Sequence, residues 1–460
     1  MKANMNDQRE SLLASVKASK AIVNLAIPAT LALLAKAVYN IVDTAYIGML
    51  NSDTALAAVG VTLPLLLIMV SVENIFAAGA GVLAGRQLGE NNKEEANRTV
   101  TTIVGFSILV GIGLCVFGIL FEDILLRAFG ASDAVLPQAK DYAFWMFIAA
   151  LFNLPAQSLN CAARAESSVK ISSIAVITGA VLNVILDPIF MFSWGVNMGV
   201  EGASLATTIS QCITFIILLV YYMGGFSVIK IKPKYFKFSV KFIWDVVSIG
   251  IPTAVIQICL AVATSLTNIA AKKLPDADLI IAAYGVVQRL ILIGCYMVMG
   301  FMQGYQPVAA YAFGAKNKER FNESTRFAMK GALLLTIVVE IIYIVLAKPL
   351  ILLFNGNPLV VEYGKWLLIS QVALYPAFGI CYMMTITFQT IGSSKLGLFL
   401  SMIRQCLFYV PFIILLPGMI GVKGIYFSQP AADVLTLMIC IILMKPMKKE
   451  IVKNMGINVK

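Results

Sequence analysis

The sequence predicts an all-α membrane protein with twelve transmembrane helices arranged as two pseudo-symmetric six-helix lobes. Three observations carry that expectation. The 460 residues are 60% hydrophobic and only 13% charged, with a mean hydropathy of +0.87, whereas a soluble globular chain is about half apolar and about a quarter charged. The apolar residues fall in runs long enough for helices to cross a bilayer, not in the alternating segments of about ten residues that build a barrel. Short motifs of the first half return in the second, in the same order.

Twelve spans are expected near 21–49, 55–84, 99–120, 137–163, 170–192, 199–223, 242–271, 279–308, 327–347, 361–390, 396–417 and 424–445. Several exceed the roughly 20 residues a bilayer needs, so they tilt, kink or project beyond it. Prolines at 28, 64, 155, 252, 307, 376 and 411 offer the kinks. The chain then divides into an N-terminal segment 1–20, an N-lobe 21–225, a basic linker 226–241, a C-lobe 242–446 and a tail 447–460.

Of the 35 Lys and Arg residues, 25 fall on the side that carries both chain ends and 7 on the other; Lys36, Arg289 and Arg404 lie inside spans. The positive-inside rule therefore places both ends in the cytoplasm, as expected of a multi-pass protein of the cell membrane. The run from Lys230 to Lys241 reads as a solvated linker facing anionic lipid. The net charge of +11 belongs to the same pattern, and no nucleic-acid partner is expected.

Several chemistries are set aside. The eight cysteines are scattered and form no CxxC pair, so they read as small buried hydrophobes. There is no histidine, which removes the commonest metal ligand and the usual pH switch. Proton coupling would have to run through carboxylates. The first twenty residues are polar and charged with no short apolar region, so no cleaved signal peptide is expected. No G-x-x-x-x-G-K-[ST] loop is present to drive an ATP motor, and no soluble stretch is long enough to hold an active site. The chain is expected not to be an enzyme and to carry no cofactor beyond a coupling ion.

The repeat is specific. Ala26-Ile-Pro28 matches Gly250-Ile-Pro252, Ala57-Ala-Val-Gly60 matches Ala282-Ala-Tyr-Gly285, and Gly89-Glu-Asn-Asn92-Lys-Glu94 matches Gly314-Ala-Lys-Asn317-Lys-Glu319, at an offset of 224 or 225. Tyr142-x-x-Trp145 with Pro155 matches Tyr363-x-x-Trp366 with Pro376 at 221, and Gly199-Val-Glu-Gly202 matches Gly421-Val-Lys-Gly424. An offset of six helices preserves orientation, so the two halves form a parallel repeat about an axis along the membrane normal. Transporters that rock two bundles around a cavity are built this way.

Ionisable groups inside hydrocarbon are costly and by default mark function. In the first span Lys36, Asn40 and Asp43 share a face, with Tyr39 beside them. In the fifth, Asn183 and Asp187 are spaced i, i+4, at a depth similar to Asp43. Oxygen ligands of this kind suit a hard cation such as Na⁺, and two desolvated carboxylates close together would equally carry a proton. Lys36 either neutralises Asp43, competes with a cationic substrate for it, or snorkels to the surface. Asn153, Gln157 and Asn160 form a polar stripe on the fourth span, either lining a cavity or joining helices. Glu73, Arg289, Glu340, Arg404 and Asp433 read more simply as structural partners than as substrate contacts.

Asn40-Ile-Val-Asp43-Thr-Ala-Tyr-Ile-Gly48, Pro28, Leu186-Asp-Pro-Ile-Phe190, Gly199-Val-Glu-Gly-Ala-Ser-Leu-Ala-Thr207 and Gly304-Tyr-Gln-Pro307 together resemble the multidrug and toxic compound extrusion (MATE) transporters. The resemblance covers the whole chain and is nearest the prokaryotic branch with an acidic site in the N-lobe. It implies a secondary active antiporter that exports organic, often cationic amphiphiles in exchange for Na⁺ or H⁺. It implies ion coupling at Asp43, Asn183, Asp187 and Thr207, which would also be the metal ligands if the ion is Na⁺. Substrate contacts are expected from Lys36, Tyr39, Asn40, Gln157 and Asn160, and a hinge at Pro28. A monomer in contact with membrane lipid is expected. Thr267 and Asn268 stand at the repeat positions of Asp43 and Thr44, so no C-lobe acidic site is carried over. The alternative is a lipid-linked glycan flippase of similar architecture.

Overall fold

The computed structural model describes residues 11–50 and 52–455. Lys2, Arg9 and Lys460, which entered the charge count, lie outside the described residues. The N-lobe comprises α1 (Ala18–Met49), α2 (Asp53–Gly89), α3 (Lys93–Leu120), a short α4 (Glu122–Ala128), α5 (Leu136–Ala165), α6 (Val169–Met191) and α7 (Val200–Met223). The C-lobe comprises α8 (Val240–Ala271), α9 (Ala277–Gly314), α10 (Lys318–Val345), a short α11 (Ala347–Leu352), α12 (Pro358–Val372) and α13 (Tyr375–Thr390). It continues with α14 (Ser394–Met402), a π-helical stretch Ile403–Tyr409, α15 (Val410–Ile420) and α16 (Val422–Asn454).

Eleven helices of the described residues are long and apolar enough to span a bilayer, and α12 with α13 makes a twelfth bent by 45°. The break falls at Ala373–Leu374, between the end of α12 at Val372 and the start of α13 at Tyr375, where Pro376 brings no N–H to bond back across the gap. Pro155, its repeat counterpart, lies inside an unbroken α5. Two features depart from the expected map. The short α4 and α11 were not anticipated; each follows the third span of its lobe. The last helix continues past 446 to Asn454, through Pro446, because Met447 and Ile451 go on burying against the C-lobe core.

The repeated motifs turn out to be turn chemistry. Asn92 and Asn317 are both helix N-caps: their side-chain oxygens accept from Glu95 N (3.0 Å) and Arg320 N (2.9 Å). Gly199 and Gly421 precede α7 and α16 with φ of 60° and 64°, a region glycine enters without strain.

The lobes meet at the end of the bundle that carries most of the basic residues, and small residues set the approach. A Cβ on Gly89 would stand 2.1 Å from the Tyr311 carbonyl oxygen, and one on Gly314 would stand 1.9 Å from that of Arg86. Gly250 packs on Ile75, Gly300 on Thr30 and Gly304 on Ile22 and Ala26 in the same way. Toward the other end, Gly48, Gly60 and Gly285 face open space. Arg86 fastens the closed end. Its Nε and one terminal nitrogen donate to the carbonyls of Thr390 and Gln389 (both 2.7 Å), and its guanidinium lies 5.2 Å from the Phe313 ring centre. The unsatisfied carbonyls at the C-terminus of α13 are a natural seat for a cation.

The linker expected as a solvated strip is strapped to the N-lobe. Glu166 accepts the N–H groups of Val228 and Ile229 (2.8 and 2.9 Å), and Asn97 accepts that of Lys230 (2.6 Å). The side chains of Lys230, Lys232, Lys234 and Lys237 remain exposed.

A polar cavity and an acidic cluster in the N-lobe

Asp43, Asn183, Asp187 and Thr207 come from three helices, α1, α6 and α7. The Asn183 amide sits between the others: its Nδ2 donates to Asp187 Oδ1 (3.2 Å) and to Thr207 Oγ1 (3.1 Å). Asp187 is fully buried and Asn183 nearly so. Asp43 lies within electrostatic reach of Asp187, and Tyr142 of α5 within reach of both. Three oxygens at this cluster are buried with no hydrogen-bond partner: Asp43 Oδ1, Asn183 Oδ1 and Asp187 Oδ2. Buried polar atoms are nearly always paired, so three acceptors left over in one place mark a missing positive or proton-bearing partner. The donor set, two carboxylates, an amide oxygen and a hydroxyl, fits a hard cation or a proton equally well.

Next to this cluster a partly open cavity lies among α1, α2, α5, α6 and α7, with Gln303 of the C-lobe in its wall. Asn183 and Thr207 belong to its wall as well as to the acidic cluster. Of the residues expected to touch substrate, Lys36, Tyr39, Gln157 and Asn160 line it. Asn160 is held in place, donating to Gln157 Oε1 (2.9 Å) and accepting from the Ser172 hydroxyl. Lys36 points into this space rather than along the helix to a surface. Asn40 is not brought to the cavity wall; its carbonyl accepts the Thr44 hydroxyl (2.8 Å) within α1. Pro28 stands inside a continuous α1, leaving the backbone one hydrogen bond short without interrupting the helix.

Two further ionisable wall residues were not expected at a cavity. Arg164, counted from sequence among surface cations, is buried and faces the cavity. A signal was available: it continues the stripe Asn153, Gln157, Asn160 by four residues. Glu73 also faces the cavity and accepts from Asn153 Nδ2 (2.7 Å); it pairs as expected, but at a wall rather than in packed protein. No periodicity in α2 announces that, because it depends on which helix α2 meets. Of the remaining ionisable groups in spans, Arg404 and Asp433 form a two-point ion pair (2.8 and 3.2 Å), while Arg289 is exposed.

Comparison with known proteins bears on the fold and the family. The multidrug export protein MepA of Staphylococcus aureus strain N315 is 27% identical over 418 residues, covering 90% of each chain. A MATE crystallised in complex with MaL6 superposes with a TM-score of 0.90 at 22% identity, covering 97% of this chain and 98% of that one. A multidrug resistance MATE family transporter of the MOP superfamily, solved in an outward-facing conformation, superposes with a TM-score of 0.89 at 22% identity, covering 95% and 98%. The family model MatE matches residues 28–189 and 252–415, one stretch in each lobe, and the chain belongs to the MatE family.

Proposed function

We propose that the protein is a multidrug efflux antiporter of the cell membrane, exporting organic amphiphiles in exchange for a cation held at Asp43, Asp187, Asn183 and Thr207. The observation that carries this reading is the trio of orphaned acceptor oxygens in a buried cluster that shares Asn183 and Thr207 with a polar cavity. An ion loaded there alters the wall that substrate touches. Ion and substrate then favour different states, and linkage makes each lower the affinity of the other. Family membership, the MepA-like relatives and the carboxylates favour export over the lipid-linked glycan flippase.

With both chain ends read as cytoplasmic, the close lobe contacts at the basic end support an outward-facing reading of this conformation. Ion entry from outside would load the N-lobe site, and opening at the Arg86 contact would follow its release. Pro28, which leaves α1 locally one hydrogen bond short, is the position in α1 best suited to bend.

The test is efflux from proteoliposomes with Na⁺ and proton gradients imposed separately. One of the two gradients should drive substrate movement in the wild-type protein, and Asp43→Asn should abolish the response. Undiminished, still ion-dependent efflux in Asp43→Asn would remove Asp43 from the coupling site.

A further inference from the structure

The N-lobe cavity carries an unbalanced charge. Two basic side chains, Lys36 of α1 and Arg164 of α5, line it with a single carboxylate, Glu73. Glu73 is already engaged by Asn153 (2.7 Å). Among the described residues neither Lys36 nor Arg164 is in an ion pair. Arg164 is 8% exposed, and its guanidinium donates to Cys161 Sγ (2.7 Å), a weak acceptor. The hydroxyls of Ser173 and Ser210, 4% and 2% exposed, line the same space with no partner. Buried cations are ordinarily compensated by an anion. Here two cations and two spare hydroxyl donors converge on a cavity whose own carboxylate serves at most one of them.

We propose that this cavity receives the carboxylate of an acidic amphiphile, with Lys36 and Arg164 as its counter-charges and Ser173 and Ser210 as further donors. The inference rests on the export reading above and narrows its substrate class. A guanidinium and an ammonium facing one pocket suit a carboxylate, whose two oxygens accept several charge-assisted hydrogen bonds at once. Gln303 is the residue the C-lobe contributes to the wall. Asn183 and Thr207 stand between the bound acid and the ion cluster, so the coupling cation and the substrate anion occupy adjoining sites of opposite charge.

The test uses the full-length protein in lipid nanodiscs and two probes, an aryl carboxylate fluorophore and its uncharged methyl ester. The wild type should bind the acid roughly tenfold more tightly than the ester. Lys36→Gln and Arg164→Gln should each weaken acid binding far more than ester binding and so erase that preference, and Lys36→Arg should restore it. Should Arg164→Gln fail to fold, Glu73→Gln serves instead: it keeps the Asn153 contact, removes the competing anion, and should strengthen acid binding several-fold. Equal affinity of the wild type for acid and ester overturns the proposal, as does a loss that strikes both probes alike in Lys36→Gln. Displacement of the acid by chloride at constant ionic strength would assign the site to an inorganic anion and overturn it too. Failure of the export reading looks different: no gradient would drive either probe in proteoliposomes, whatever their relative affinities.

Discussion

The two lobes are built on one template, yet one is hollow where the other is filled. The repeat offsets place Leu260 where the N-lobe has Lys36, Val298 for Glu73, Phe378 for Gln157, Cys381 for Asn160 and Thr385 for Arg164. Phe378 and Cys381 join the large C-lobe core with Tyr375 and Tyr382, so positions that wall a polar cavity in one lobe carry apolar or sulfur-bearing side chains in the other. The acidic cluster differs in the same sense. Thr267 replaces Asp43, and its hydroxyl meets the Tyr409 hydroxyl at 2.7 Å. Gln429 replaces Thr207, and Asp433 stands where the N-lobe has Gln211. Asp433 is saturated: Arg404 Nε and Gln429 Nε2 reach Oδ1 (2.8 and 2.9 Å), and Arg404 reaches Oδ2. The C-lobe thus carries a resident, covalently tethered cation where the N-lobe leaves acceptor oxygens unmet. An exchangeable ion needs the second arrangement; a structural pair needs the first.

The largest effect on transport should come from removing acceptors on the hollow side. Asp187→Asn converts a buried carboxylate to an amide at a cluster where charged hydrogen bonds contribute about 1.5–3 kcal/mol each, and ion-driven efflux should fall at least about tenfold while the protein still folds. Residual coupling at wild-type level would transfer the ion site elsewhere. Next comes the filled side. Arg404→Met strands a fully buried Asp433, and thermal unfolding in detergent should report a loss of about 3–5 kcal/mol. The double change Arg404→Met, Asp433→Leu should recover most of it; if it does not, the pair is more than structural.

Arg86 also distinguishes the lobes, because its repeat position holds Tyr311. Arg86→Ala removes two hydrogen bonds from a charged donor, and spin-label distances across the basic end should show the lobes parting more often. A shift of about 2 kcal/mol, roughly thirtyfold in the equilibrium, is expected; an unchanged distance distribution would make Arg86 a packing residue only. The smallest effect is expected of Thr207→Val. It removes a single neutral hydrogen bond of about 1 kcal/mol, so apparent ion affinity should drop about fivefold with substrate affinity nearly intact. An equal loss in both would move Thr207 from the ion cluster to the substrate wall.

Spans, repeat and acidic cluster were legible before any coordinates because each leaves a local mark. A span is a long apolar run, and the repeat is written in turn residues such as Asn92 and Asn317 or Gly199 and Gly421, whose backbone geometry admits few alternatives. Asp43, Asn183 and Asp187 stood out because polar groups are rare in hydrocarbon. Arg164 did not, and Glu73 was noticed only as a structural partner. Arg164 lies at a helix end, where a basic residue ordinarily reaches water, and Glu73 reads the same whether it meets a partner or a cavity. The π-helical stretch at Ile403–Tyr409 and the break before α13 were equally silent, since both are settled by how a helix accommodates its neighbours.

By itself the sequence determined the membrane class, the doubled architecture and the unusual carboxylates, since hydropathy, spacing and desolvation act residue by residue. Only the tertiary structure decided that the polar cavity lies in the N-lobe, that Lys36 faces it, and that Asp433 meets a cation while Asp43 and Asp187 do not. The reason is physical. Whether a buried charge is compensated depends on what stands within a few ångströms of it, and in this protein those neighbours come from other helices.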